Sequence, residues 1–438
     1  MSPSKIHIEA IEMLLASITL TMGEDGARAS FLFGPPGARH WEKRIEIDIY
    51  YHFVDLNLAA LHVRSVGPRF LKALSLDEIR SKLQNFMSEN FGYIGNLAFG
   101  SRDERPLNLW IPEKERLELA SALASCALFQ PTNELTVFPL VPVVVKTNFR
   151  SDQFFFSSPQ EENSFFLDDE RLRGEFDPQY FPPQVGFKGQ IRKPNAWLGV
   201  YSPDYRAALK TRSSILGALA LTALPRHRHM FSGREVFGGR CTISKDGITY
   251  SFEKKHTPPC MHDIHVTDMD VGWMTLLSDR LRTTDKSVMR ELKALEYYFR
   301  AWPLSPEERF PVLCMALDAI FGDSNNATQA VVDGVNETLD GMASEQHLRA
   351  ILGLRGSVIH GGAPDVYDSS KYPKYYIKYG CDPIRDLELV VSACLRKKVF
   401  QGELLEHPDP NAQVIEEART EGRLPPKADA VSILNPKA

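Results

Sequence analysis

A chain of 438 residues exceeds what one ordinary hydrophobic core accommodates, so two or three folded units are expected. Its 43% hydrophobic and 24% charged residues exclude wholesale disorder and a fibrous repeat. A formal net charge of -5 excludes nucleic-acid binding by general cationic attraction, so any RNA contact must be local.

The apolar run from Met13 to Met22 follows Glu9 and Glu12 and has no basic leader, so it is not read as a signal peptide. No stretch approaches the length of an unbroken membrane span, so no membrane contact is expected. The six cysteines lack pairing rhythm and CxxC spacing, which is expected of free thiols in the reducing cytoplasm. Apolar and charged residues alternate from Ile45 to Ile49, and Leu135 to Val145 is β-branched and broken by prolines, both strand signals. Ser75 to Asn90 and Pro112 to Phe129 carry apolar residues at helical spacing. Residues 1–150 therefore read as a mixed α/β domain of unknown role. From Ser151 to Pro183 the texture changes to phenylalanines, acids and prolines without a period, as in a long loop or boundary.

Tyr205 to Ala223 reads as helical, and Arg240–Ser244 and Ile248–Glu253 flank Lys245-Asp246-Gly247, a hairpin turn. Residues 151–270 are thus expected to form a loop-rich linker with a small β-containing module. Residues 271–405 read as a helical domain, with helices at Lys286–Ala301, Ser305–Phe321, Ala327–Leu339, Ser344–Ile359 and Asp382–Phe400. Ser305 and Glu308 have the spacing of a capping box, and Ser344 is a second cap candidate. Residues 406–438, rich in proline and charge, are expected as a flexible or wrapping tail. The fold class expected is α+β multidomain, a mixed amino-terminal region followed by an all-α bundle.

Near the end of the fourth of these helices stands Leu354-Arg355-Gly356-Ser357-Val358-Ile359-His360-Gly361-Gly362. RNA carries its own nucleophile, the 2′-hydroxyl, and cleaves itself when a base and an acid manage the protons. Histidine titrates near neutrality and serves either role, while a planar, permanently charged arginine holds two phosphate oxygens as negative charge builds. Helix positions five apart point about 140° away from each other at 3.6 residues per turn, so Arg355 and His360 do not share a face of a regular helix. Either the helix unwinds at Gly361-Gly362, or two motifs meet across a two-fold dimer.

The segment from roughly Lys286 to Phe400 resembles the Apea-like HEPN family. That family pairs an arginine and a histidine separated by four to six intervening residues with an upstream helix running from an Arg-Phe pair to an acidic residue. Arg309-Phe310 and the stretch Ala316 to Phe321, with Asp318, match the upstream helix, and Ile384 to Val399 matches the family's closing helix. Gly356 departs from the small polar or acidic residue common after the arginine, and Asp318 from the more frequent glutamate. The resemblance implies a metal-independent endoribonuclease with Arg355 and His360 catalytic and no cofactor or metal. RNA is then the substrate, and the chain is a homodimer through the HEPN-like domain. The resemblance further implies a defence or toxin effector in which residues 1–270 sense a trigger or regulatory partner, or restrain the nuclease. Ser357 and Tyr367 are supporting candidates for a phosphate contact, beside the plainer role of turn-forming hydroxyls. Asp318 is expected to be a structural or motif-orienting carboxylate. The alternative in the same family is a non-catalytic RNA-binding or dimerisation scaffold.

Weaker constellations lie elsewhere. His256, Cys260, His262 and His265 are ligand types, but their spacing fits no common closed zinc site and reads as a loop with incidental histidines. Glu253-Lys254-Lys255 with Asp246 has the residue types of a metal-dependent nuclease, although Asp246 is needed by the turn. Gly34-Pro35-Pro36-Gly37 lacks the Gly-Lys-Ser/Thr ending of a phosphate loop and reads as a turn. The run Arg226-His227-Arg228-His229 suits either an RNA phosphate contact or a solvated helix end.

Overall fold

The structure is a computed structural model that describes residues 3–22, 26–34, 42–43, 45–101, 103–159, 193–245, 247–323, 326–425 and 431–435. The chain divides into two compact units, one of residues 1–133 with 202–207 and one of 134–201 with 208–438. Among the described residues the last strand ends at Val266 and helices dominate the chain beyond it, the α+β arrangement that the patterning implies.

The first unit places three strands in the order β1-β3-β2, β1 being Ile18–Thr19, β2 Gly26–Phe33 and β3 Ile45–His52. The alternation read at Ile45–Ile49 belongs to β3, which pairs antiparallel with both neighbours. Helices α1 (Lys5–Ala16), α2 (Phe53–Val66), α3 (Leu76–Asn90) and, after a short α4 (Gly95–Ala98), α5 (Glu113–Ser125) supply the rest. Ser75 and Glu78 close a capping box at the start of α3. The core is the set of inward positions that helical spacing selects, among them Leu14, Leu56, Val63, Leu83 and Leu119.

In the second unit six strands run in the order β10-β9-β4-β8-β7-β6. They are β4 (Glu134–Leu140), β6 (Phe149–Arg150), β7 (Phe154–Ser157), β8 (Ala196–Ser202), β9 (Gly238–Ser244) and β10 (Gly247–Lys255). A separate parallel pair joins β5 (Val143–Val145) to β11 (Ile264–Val266). The expected hairpin is β9–β10, with Gly247 at φ +130°, where only glycine is unstrained; Asp246 lies outside the described residues, as does the loop from 35 to 40. Phe154, Phe155 and Phe156 form a strand where the texture suggested only a loop. All three are fully buried, and a strand covered on both faces shows no alternation for sequence reading to detect. Most of the remaining aperiodic stretch, from 160 onward, lies outside the described residues.

The helices of this unit are Tyr205–Thr222 (from Ala208), Val271–Arg282, Lys286–Ala301, Pro306–Phe321, Ala327–Thr338, Glu345–Ile359, Lys371–Tyr379, Pro383–Phe400 and Ala412–Thr420, besides a single turn at Pro225–Arg228. Asp285 and Asp382 cap their helices through side-chain oxygens. Ser305 does not close the expected capping box: its hydroxyl donates to the Glu308 carboxylate at 3.0 Å. Gly217 sits where the Tyr205–Thr222 helix crosses Lys286–Ala301, and a Cβ there would stand 2.2 Å from the Leu295 carbonyl oxygen. The tail contains the helix Ala412–Thr420, and its residues 431–435 dock on the bundle. Ile433 is fully buried, its amide donates to Asp386 Oδ1 at 3.0 Å, and its carbonyl accepts the Ser344 amide at 3.0 Å. The tail thus satisfies one of the orphan donors at the start of the Glu345–Ile359 helix, where Ser344 makes no side-chain cap bond.

Candidate functional site

The Arg355–His360 motif occupies the last turn of the helix Glu345–Ile359, hereafter the motif helix. Leu348, Ile351, Leu352 and Leu354 recur at helical spacing on its buried side and fix its rotation in the bundle. That rotation sends Arg355 toward the helices Pro306–Phe321 and Ala327–Thr338. Its Nη1 donates to Asp318 Oδ1 at 2.5 Å and its Nη2 to Thr328 Oγ1 at 3.4 Å. The Arg355 side chain is only 14% exposed, against 36% for Asp318. Asp318 lies in the final turn of its own helix, where the backbone dipole disfavours a carboxylate. Two arginines offset this: Arg355 meets the carboxylate, and Arg290 Nε donates to the neighbouring Ala319 carbonyl at 2.8 Å.

His360 is the C-cap of the motif helix, and its amide donates to Gly356 O at 3.3 Å. Beyond it the chain reverses at Gly361, whose φ of +74° is the left-handed value that glycine adopts freely. The Gly361 amide closes on Val358 O at 3.3 Å and the Ala363 amide on Ser357 O at 3.1 Å. The imidazole of His360 is exposed, and among the described residues it has no hydrogen-bond or ion-pair partner. Arg355 and Asp318 are therefore brought together, while no side-chain bond joins either of them to His360.

The supporting residues fall differently. Ser357 Oγ points along the helix to Gly353 O at 3.5 Å. Tyr367 lies in the following loop, its amide accepted by Asp365 Oδ1 at 2.7 Å and its half-exposed ring edge-on to Tyr372 at 5.0 Å. Partial burial, with Asp382 and Glu307 nearby, pushes its phenol up. Neither hydroxyl contacts His360.

The chain matches no family model, no curated protein and no solved structure. What the site can do is accordingly argued from its residues.

A second charged cluster gathers around Arg228, which sequence reading offers either to RNA phosphate or to solvent. Arg228 is neither solvated nor at an RNA-facing surface. It is buried, with Nη1 on Glu388 Oε1 at 2.8 Å, Nε on Ala220 O at 2.9 Å and Nη2 on Ala223 O at 2.8 Å. His229 Nε2 meets Glu388 Oε2 at 2.8 Å, and Arg309 of the Arg-Phe pair stands 3.5 Å from the same oxygen. Burial opposes ionisation of Glu388, but the His229 hydrogen bond and the Arg228 charge outweigh it and pull the carboxyl down to about 2. Arg226 pairs with Asp409. The closing helix, Pro383–Phe400, thereby ties the upstream helix to residues 226–229, and a run of basic letters gives no hint of that burial.

The loop histidines also separate. His256 is buried, with Nδ1 facing Arg212 Nη1 at 2.8 Å and Nε2 facing Gly239 O at 2.5 Å. Arginine can only donate and the carbonyl only accept, so the ring is the neutral tautomer with Nε2 protonated and has no lone pair left for a metal. Burial and the Arg212 charge push it down to about 3. His262 stacks near His227 at 4.4 Å, and both line a cavity of about 520 Å³ with Trp302, Met269, His407 and Pro408. None of the motif residues reaches that cavity. Among the described residues no group of three or more histidine, cysteine or carboxylate side chains is arranged to hold a metal ion, and no helix is long and apolar enough to cross a membrane.

Sequence reading placed no helix between Ile359 and Asp382, where the structure has the helix Lys371–Tyr379. Its signal was present as lysines at 371, 374 and 378, at helical spacing of three and four.

Proposed function

We propose that this chain is a metal-independent endoribonuclease of the HEPN type, with His360 moving protons and Arg355 holding phosphate. In this reading it acts as a homodimer and as a defence or toxin effector, and residues 1–270 respond to the trigger. The observation that supports it best is the placement of His360 at the open end of the motif helix, exposed and without a side-chain partner among the described residues. One imidazole withdraws the 2′-hydroxyl proton, the 2′-oxygen attacks phosphorus, and the 5′-oxygen leaves with a proton from the second imidazole of a two-fold pair. The products are a 2′,3′-cyclic phosphate and a free 5′-hydroxyl. Arg355 is held by Asp318, so the phosphate must compete with that carboxylate for the guanidinium.

The same ion pair favours a second reading, a non-catalytic RNA-binding or dimerisation scaffold, since the arginine's charge is already met within the fold. The test is cleavage of transfer RNA and a structured messenger by the wild type beside His360→Ala, in excess EDTA, with product ends mapped. Cleavage that yields cyclic-phosphate ends and falls about 10²- to 10⁴-fold in the variant supports the nuclease. Equal activity in both proteins refutes it.

A further inference from the structure

The helix Lys371–Tyr379, KYPKYYIKY, carries a surface that the Arg–His chemistry does not use, and its two faces differ in kind. Tyr372, Tyr375 and Tyr379 turn inward at spacings of three and four. The Tyr375 hydroxyl donates to Asp386 at 2.7 Å, the Tyr372 hydroxyl to Asp382 at 3.3 Å, and the Tyr379 ring lies 3.7 Å from that of His347. This anchoring leaves Lys371, Lys374 and Lys378 exposed along one flank, at spacings of three and four, while the exposed Tyr376 lies about 140° or more around the helix from each of them. No acidic residue occurs between 369 and 381, so the lysines have no counter-charge on their own segment. Among the described residues Lys374 has no hydrogen-bond or ion-pair partner, and the Lys378 ammonium stands 4.8 Å over the Tyr379 ring. Asp365, in the preceding loop, spends Oδ1 on the amides of Tyr367 and Asp368.

The position of this helix links it to the motif. Lys371 Nζ donates to the Gly353 carbonyl of the motif helix at 2.7 Å. Positions 353, 357 and 360 recur at i, i+4 and i+7 and so share one face. The first lysine is therefore docked on the face that carries Ser357 and ends at His360, about 10 Å further along at the helical rise. In a chain of net charge -5, this is a local concentration of cations beside the Arg355–His360 motif.

We propose that the helix Lys371–Tyr379 seats single-stranded RNA and leads it to His360, with Lys371, Lys374 and Lys378 on successive phosphates. Ammonium groups in a row that tracks a backbone hold single strands without reading sequence. The inference rests on the RNA reading of the Arg355–His360 site and adds the element that binds the substrate.

The test is an anisotropy titration of the full chain carrying His360→Ala, which keeps the probe whole, with a short fluorescein-labelled single-stranded RNA of mixed sequence. Lys374→Glu/Lys378→Glu is expected to weaken binding at least tenfold and to reduce the slope of log affinity against log salt by about 0.7 for each phosphate that is no longer neutralised. Lys374→Gln/Lys378→Gln should move the same way by less, and Tyr376→Ala, on the flank away from the lysines, should bind as the parent does. Lys245→Glu/Lys286→Glu makes the same charge change elsewhere in the unit and should bind as the parent does. Parent-like binding by the Lys374/Lys378 variants, an equal weakening in the control pair, or no RNA binding by the parent overturns the inference. Lysine-dependent binding without cleavage by the wild type would uphold this helix and remove the nuclease. Cleavage unaltered by the lysine substitutions at subsaturating RNA would uphold the nuclease and remove this helix.

Discussion

Replacing Glu388 by glutamine tests whether the helix Pro383–Phe400 holds the helical region together through a buried ion cluster. The carboxylate accepts from Arg228 and His229 at 2.8 Å each and faces Arg309 at 3.5 Å, and the residue is only 7% exposed. A glutamine of the same shape turns an NH₂ group toward one of these donors and leaves buried guanidinium charge uncompensated. Breaking a buried pair by removing one partner costs about 3–5 kcal/mol, a large part of a domain's net stability. The pH dependence gives a second estimate. The folded-state carboxyl titrates near 2 against an ordinary 4.5, which corresponds to roughly 3 kcal/mol. Because the folded value is depressed, that stability is present above the ordinary value and is lost as pH falls from about 5 toward 2. Urea unfolding of the full chain, followed by fluorescence and near-UV circular dichroism across this pH range, measures both quantities. Glu388→Gln should lose about 3 kcal/mol or more at neutral pH and show a flatter acid limb than the wild type. Glu345→Gln, which breaks an exposed pair with Arg349, should change stability by less than about 1 kcal/mol. A Glu388→Gln protein within about 1 kcal/mol of the wild type, with the same acid limb, would refute the reasoning.

The neutral, buried His256 adds to acid lability in a different window: the unfolded chain takes up a proton below about 6.5 that the folded chain refuses until about 3, so stability declines across that span. His256→Gln, whose amide can accept from Arg212 and donate to Gly239, should flatten the decline, and thermal melts between pH 7 and 4 would check it. Gly217→Ala should cost about 1–3 kcal/mol despite alanine's better helix propensity, because the Leu295 backbone must move; a stabilised variant in chemical denaturation would mean the helices cross less closely. Ile433→Ala should cost about 2–5 kcal/mol if the tail is seated on the bundle through this side chain, and a loss under about 0.5 kcal/mol would show that it is not.

Much of the secondary structure was legible because it is local. The alternation at Ile45–Ile49, the turn at Gly247 and the helical spacing through Lys286–Ala301 and Asp382–Phe400 each state a backbone preference within a few residues. The Arg355–His360 pair and Asp318 were singled out through the resemblance of their segment to the Apea-like HEPN family, since an arginine and a histidine at that spacing mean little by themselves. What the sequence could not determine depends on partners distant in the chain. Phe154–Ser157 is a strand because both its faces are covered, and Lys371–Tyr379 is anchored through tyrosines that reach Asp382, Asp386 and His347. Arg228 looks like a surface cation until Glu388, 160 residues later, supplies its counter-charge. The tertiary structure alone decided which way the motif helix is turned, so that Arg355 faces Asp318 while His360 points to solvent. Burial and ion pairing belong to the packed arrangement, and a linear pattern records only which residues are available for it.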